Sequence, residues 1–298
     1  MSIPSAQLSA WSNRGAITTS SEAYRSVQVA LKKEGSPLAN LDVEVFLQGS
    51  YANATNIRAD SDIDVVVFYD DTFVPDKTKL SPAEIQRYDS THSEATYKWA
   101  QLRDDTIRAL QQHFTVGAVT PGTKAIAVAT RAGGMTADVV PAIGYRRYAT
   151  YPDAANATGW FGIQFWDSSG NPIVNFPKQH VKRGEDKNQA ARTRGLYKPT
   201  IRLFKNYRNA LVQKQQLADE IAPSYFLECT LSNVPDEHFI GEFNETVPGI
   251  LEYLWGTFPD SFMSQNGIVP LFGDTTTQWS TQKLAVLLQA MRSGWNDW

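Results

Sequence analysis

One cysteine, Cys229, is all the chain has. A single thiol excludes an internal disulfide and any zinc site built from several cysteines, and it fits a reducing compartment. Long apolar runs are also missing. Nothing approaches the roughly 20 residues that a membrane-spanning helix needs. The opening residues, MSIPSAQLSAWSNRG, lack the charged-then-apolar order of a secretion signal. Neither sign of charge dominates, with 28 basic against 31 acidic residues and a formal net of −3. That balance argues against a globally basic nucleic-acid binder. Internal repeats and low-complexity segments are absent. The expectation is a soluble, cytoplasmic protein with no membrane partner. Its 298 residues are enough for one large domain or two ordinary ones.

Several stretches carry a period. TSSE at 19–22 has the form of a capping box and predicts a helix start. Ala23, Val27, Ala30 and Leu31 then recur at helical spacing, with Gly35 as the stop. DVEVFLQGS predicts a strand ending at a Gly-Ser turn, and DIDVVVFY predicts the next strand. SPAE at 81–84 is a second capping box, with Pro82 at the first helical position and helix to about His113. TKAIAVAT and GMTADVVPAI read as two strands joined by RAGG. Residues 150–175 show no clear period, and a domain transition is expected there. From Lys198 on the pattern is helical. Pro199 sits at a helix start, and Ile201, Phe204 and Leu211 share a face. In SYFLECTLSNV, Leu227, Leu231 and Val234 do the same. Further helices are expected near 246–257 and 277–292. Strands in the first half and helices in the second make an α+β chain: a sheet-bearing domain over 1–165 and a helical domain over 166–298.

What remains is an anomaly in charge. Asp60, Asp62 and Asp64 fall within five residues and run straight into Val-Val-Val-Phe. Unpaired carboxylates are costly to desolvate at the mouth of a buried strand. Asp62 and Asp64 are two apart, so on a strand both point to one face. A divalent cation would settle their repulsion, since hard cations take carboxylate and phosphate oxygens. Asp138, in the apolar stretch MTADVVPAI, is a third candidate if its strand lies beside the first. Three carboxylates can hold two metal ions for an in-line phosphoryl displacement. Gly49-Ser50 precedes them, a turn whose backbone a phosphate can approach closely. Each piece has a plainer reading. Gly-Ser alone is a turn, Asp-x-Asp alone a solvated loop or calcium-type site, and Asp138 a partner for Arg146 or Arg147. The order of all the parts together favours the metal-and-phosphate reading.

That order carries a resemblance. QGSYANATNIRADSDIDVVV together with Asp138 resembles the signature of polymerase-β-like nucleotidyltransferases. More narrowly, the chain resembles the cGAS/DncV-like nucleotidyltransferases of bacterial anti-phage (CBASS) systems. NFPKQH at 175–180, LYKPTIRLFKNYRN at 196–209 and APSYFLECTLSNVP at 222–235 support the narrower match, and SYFLE with KPTIRLFKN looks most like clade E. The resemblance implies a polymerase-β-like core, a mixed sheet with helices, plus a helical C-terminal domain closing the active-site cleft. It implies condensation of NTPs into a cyclic oligonucleotide, in the first place a cyclic dinucleotide, with release of pyrophosphate. The diffusible product would activate a downstream effector. Asp62, Asp64 and Asp138 would be the catalytic ligands of two Mg²⁺ ions, with Mn²⁺ as a substitute. Gln48, Gly49 and Ser50 would hold the donor triphosphate, reached also by Lys205 and Ser224. Tyr225 would stack on a nucleobase. Asn175 is the candidate base reader, with at least one pyrimidine among the substrates. Neither a zinc insertion nor activation by long DNA is expected. Two alternatives stay open: a nucleotidyltransferase that modifies a small molecule or protein once, and a non-catalytic nucleotide-binding module.

Ten Lys and Arg fall between 178 and 208, against only Glu185 and Asp186. Most are expected to form a solvated basic face. Arg202, Lys205 and Asn209 lie on a stripe separate from the apolar one, suited to a triphosphate. Ser224, after Pro223, is expected to cap its helix. Arg58 is expected in a loop, and Thr55 is expected to support that loop.

Overall fold

A computed structural model describes residues 3–15, 17–58, 62–130, 135–275 and 277–298. Asp60 and the RAGG turn lie outside the described residues. The strands are β1 (Val43–Gln48), β2 (Asp62–Asp76), β3 (Val119–Pro121), β4 (Ile126–Ala129), β5 (Thr136–Thr150), β6 (Thr158–Trp166) and β7 (Pro172–Asn175). The α-helices are α1 (Ser5–Ser12), α2 (Thr18–Lys32), α3 (Gly49–Ala52), α4 (Pro82–Thr91), α5 (Trp99–Phe114), α6 (Pro177–Lys187), α7 (Ala190–Thr193), α8 (Tyr197–Gln213), α9 (Ser224–Ser232), α10 (Phe243–Gly256) and α11 (Thr281–Asn296). No described helix is long and apolar enough to cross a membrane.

The chain divides into two compact units. One comprises Ile17–Tyr51 and Ser61–Pro177, the other Met1–Ala16, Ala52–Asp60 and Lys178–Trp298. The first holds the sheet, whose order is β1-β2-β5-β4-β3, with β6 on β5 and β7 on β6. Only β2 and β5 run parallel, so the sheet is mixed. These two long strands are apolar on both faces because both faces are covered. Ile63, Val65 and Val67 share a core with Val27, Leu31, Leu102 and Leu110 of α2 and α5. The intervening Val66 and Phe68 pack on the opposite face with Val140, Ala142, Ile163 and Phe165.

Two local expectations fail here. The helix opens at Thr18 without a side-chain cap. The Ser20 and Ser21 hydroxyls donate to the Ile17 carbonyl instead (2.7 and 2.9 Å), so the box at 19–22 does not form. The aperiodic stretch 150–175 contains β6 and β7. Pairing of β7 with β6 carries the sheet unit to 177, beyond the expected break at 165/166. The box at 81–84 does form, with Glu84 Oε2 accepting from the Ser81 N–H at 2.9 Å.

The helical unit is built on α8. Ile201, Phe204, Tyr207 and Leu211 are buried with Leu8 of α1, Leu227 of α9, Ile250 of α10 and Leu288 of α11. The solvated basic face does not hold for four of the ten cations. Lys187, Arg202, Lys205 and Arg208 are buried. Buried cations need oxygen partners. Lys187 Nζ reaches Val234 O (2.6 Å) and Asp236 Oδ1 (2.9 Å). Arg202 donates to Ser12 O and Ala54 O, each at 2.6 Å, and Arg208 to Ala222 O.

Candidate active site

In the sheet unit the local geometry follows from strand alternation and one glycine. β1 runs antiparallel to β2 and ends with Gln48 opposite Asp64. The chain then turns at Gly49, where φ is +65°. A Cβ at Gly49 would stand 2.1 Å from Asp64 Oδ2, so only glycine allows the turn to pass so close to the carboxylate. Ser50 follows in α3.

Asp62 is the first residue of β2, and Asp64 shares its face. The parallel register sets Asp62 beside Thr136 and Asp64 beside Asp138. Neighbouring strands lie about 4.8 Å apart, so Asp64 and Asp138 stand side by side. Ile63 and Ala137, between them in sequence, are fully buried on the opposite face. The Thr136 hydroxyl donates to Asp62 Oδ1. Burial pushes the Asp138 carboxyl above the usual carboxylate range, and the charge of Asp62 adds to the rise. The arginine alternative for Asp138 is not realised. Arg146 pairs with Asp70 at 3.3 Å and Arg147 with Asp76 at 2.9 Å.

Such an edge suits a hard divalent cation in its donor type, since three carboxylates supply oxygen ligands. Asp62, Asp64 and Asp138 are the residues that fit. Among the described residues no three His, Cys, Asp or Glu side chains are drawn together into a metal cluster. Asn175 lies elsewhere in the same unit. It pairs with Ile163, which pairs with Gly144. From residue 138 to 144 is about 20 Å along a strand.

The helical unit holds the other expected residues. Lys205 is 1% exposed and donates to the Thr55 carbonyl at 3.1 Å. Its Nζ stands 4.0 Å from Glu228 Oε1, which accepts from the Thr55 hydroxyl at 2.6 Å. Glu228 Oε2 lies 3.5 Å from His180 Nε2. Thr55 thus ties its loop to α9, and Arg58 is exposed in that loop. Ser224 is the first residue of α9, not its cap, because Pro223 takes the cap position. Its hydroxyl accepts from Arg208 Nη2 at 3.4 Å. Tyr225 follows on the same turn. Burial raises its hydroxyl pKa, with Cys229 adding to the rise and Ser264 opposing it, yet the residue as a whole is 44% exposed. Thr136, His180 and Glu228 carried no signal of their own in sequence. The partners Thr55 and Glu228 are 173 residues apart, and only the quoted segments NFPKQH and SYFLE pointed near the last two.

Comparison with known proteins places these features. The family model for the cGAS/DncV-like nucleotidyltransferase C-terminal helical domain matches residues 182–296, and that for a nucleotidyltransferase domain matches 30–116. The cyclic UMP-AMP synthase of Rhodothermus marinus is 38% identical over 100% of this chain and 99% of its own. The cyclic nucleotide synthase CdnE01 of Staphylococcus haemolyticus is 34% identical over 100% of both chains. The solved structure of the Rhodothermus marinus CdnE c-UMP-AMP synthase with Apcpp and Upnpp is similar at a TM-score of 0.89 and 37% identity, covering 99% of this chain and 97% of that one. Identity sustained along the full length decides the matter, and the chain belongs to the cGAS/DncV-like nucleotidyltransferases.

Proposed function

We propose that this protein condenses two nucleoside triphosphates into a cyclic dinucleotide, releases pyrophosphate, and supplies a diffusible messenger to an effector in anti-phage signalling. One observation carries the reading: the β2–β5 register that sets Asp64 beside Asp138, with Asp62 on the same face and Gly49 against the Asp64 carboxylate. The names of the full-length relatives support it.

Asp62, Asp64 and Asp138 would hold the divalent cations, two Mg²⁺ ions or Mn²⁺ in their place. Bound there, such ions supply charge stabilisation to the attacking and leaving oxygens of an in-line displacement. The remaining work falls to the chain. Gly49 lets backbone N–H groups approach the donor triphosphate, flanked by Gln48 and Ser50. A hydroxyl of the second nucleotide attacks the α-phosphorus. The new P–O bond forms as the α–β bridge breaks and one pyrophosphate leaves; the linear product then rebinds in reversed orientation, and a second displacement of the same kind closes the ring and releases a second pyrophosphate. Asp138 takes the hydroxyl proton. In the helical unit, Lys205 and Ser224 serve as phosphate contacts and Tyr225 as a base platform. Lys205 must then exchange its Thr55 carbonyl for a phosphate oxygen. Asn175 serves as base reader, and one substrate is a pyrimidine nucleotide, as in the name of the Rhodothermus marinus relative. A cytoplasmic site would give it the NTP pool.

The test is a product assay. Purified protein is incubated with Mg²⁺ and the four NTPs, each α-³²P-labelled in turn, then treated with phosphatase. A resistant cyclic product, absent from the Asp62→Asn/Asp64→Asn protein, identifies the synthase and its bases. A label fixed to a small molecule or protein, or bound nucleotide without product, would overturn the reading.

A further inference from the structure

We propose that His180 is a positioning residue for the nucleobase: it backs the ring of Tyr225 and is itself fixed by Glu228. The inference rests on Tyr225 serving as the base platform. His180 is 6% exposed, and its ring stacks on that of Tyr225 with centroids 5.5 Å apart and planes 24° apart. Phe226 closes the edge of Tyr225 at 5.7 Å in a T-shaped contact. Tyr225 is therefore supported on one ring face and one edge while it remains among the exposed large side chains. A half-open aromatic held in one orientation is already ordered before a base arrives, and affinity gains what is not spent on ordering it.

The support is itself held at both ends. His180 Nε2 stands 3.5 Å from Glu228 Oε2, which favours the tautomer with its N–H on Nε2. Glu228 cannot swing away, because its other oxygen accepts from Thr55 (2.6 Å) with Lys205 nearby. The His180 carbonyl accepts from Gln265 Nε2 at 2.8 Å, and Gln265 Oε1 accepts from the Tyr197 hydroxyl at 2.6 Å. The remaining ring nitrogen, Nδ1, is buried and makes no hydrogen bond among the described residues. Packing alone would favour phenylalanine or leucine here, since an unpaired buried nitrogen costs stability. An imidazole aimed by a carboxylate sets the ring plane, which an aliphatic side chain cannot do.

The experiment uses the full-length protein and steady-state kinetics, with ATP and UTP varied in turn at saturation of the other. Circular dichroism and Tm report folding. Tyr225→Ala should raise the KM of the nucleotide stacked there about tenfold, with a smaller change in kcat. His180→Gln, which keeps a polar group and loses the ring, should raise the same KM several-fold. The double variant should be no worse than Tyr225→Ala alone. His180→Phe, which restores a flat ring but not the nitrogen aimed by Glu228, should recover part of the loss, with a KM between those of the parent and His180→Gln. A His180→Gln KM within twofold of the parent overturns the inference, as do additive effects in the double variant or a fall in kcat with KM unchanged. If His180→Gln does not fold, His180→Phe decides alone: a KM as high as that of Tyr225→Ala overturns the inference. An unchanged KM in folded Tyr225→Ala overturns the base-platform reading and this inference with it.

Discussion

The strand pair β2–β5 handles charge in opposite ways at its two ends. At the start, carboxylate faces carboxylate, Asp64 beside Asp138. At the far end, carboxylate faces cation. Asp76 stands beside Arg147, its Oδ2 accepting from Arg147 Nε at 2.9 Å and from the Tyr145 hydroxyl at 2.7 Å. The carboxyl groups answer accordingly. Burial raises Asp138, and Asp62 raises it further. Burial alone would raise Asp76 too, but hydrogen bonds from Thr78, Tyr145 and Arg147 outweigh it and hold the group at about 2. Residue type and strand pair are shared, so the difference lies in the neighbour. A pair that serves the fold is neutralised within the chain. At the start of the pair the register sets two acidic groups together, with no cation opposite either of them in the ladder.

The comparison can be broken by exchanging one end's behaviour for the other's. Asp64→Asn should cut cyclic product formation by roughly 10²–10³-fold or more, with the protein still folded by its Tm at pH 7. A fall in Tm with product retained would place Asp64 with the structural carboxylates. Gly49→Ala sharpens the same end. The added methyl must displace the Asp64 carboxylate and sit at a φ of +65°. Product formation should drop by roughly tenfold or more, with about 1–2 kcal/mol lost in urea unfolding. Asp76→Asn should change turnover by less than about threefold and lower stability at pH 7 by about 1 kcal/mol, after allowance for solvent screening. The sign follows from a depressed folded pKa. The contribution is present above the unfolded value of 3.8 and is lost as pH falls toward about 2. Unfolding of the parent should therefore become easier between about pH 4 and 2, and the variant should lack that part of the slope.

Much of the site was readable because its causes are local. The i, i+2 spacing of Asp62 and Asp64 determines their common face, and Val65–Phe68 identifies a buried strand without reference to anything distant. What could not be read depends on remote partners. Asp138 stands out by its apolar context, but the parallel register that sets it beside Asp64 is specified by no local pattern. The strand TGWFGIQFW has aromatics on both faces and glycines within it, so its alternation is blurred and no period marks β6. Cations at 187, 202, 205 and 208 look alike in sequence whether they are solvated or buried. Which they are depends on carbonyls as far away as Ser12 and Val234. At 19–22 the helix starts one residue early, at Thr18, which puts Thr19 inside it rather than at its cap.

The hydrogen bond from Arg202 to the Ser12 carbonyl spans 190 residues of chain. Translation at 5–20 residues per second puts roughly 10–40 s between the synthesis of its two ends. For that interval α1 has emerged from the ribosome without the helix it packs against, while all of the sheet unit's residues are made in between. The apolar side of α1, Leu8 and Trp11, is thus left uncovered early in the life of every molecule. Trp11 also packs on Trp298, 5.3 Å between ring centroids, so that surface is fully covered only once the last helix has been made.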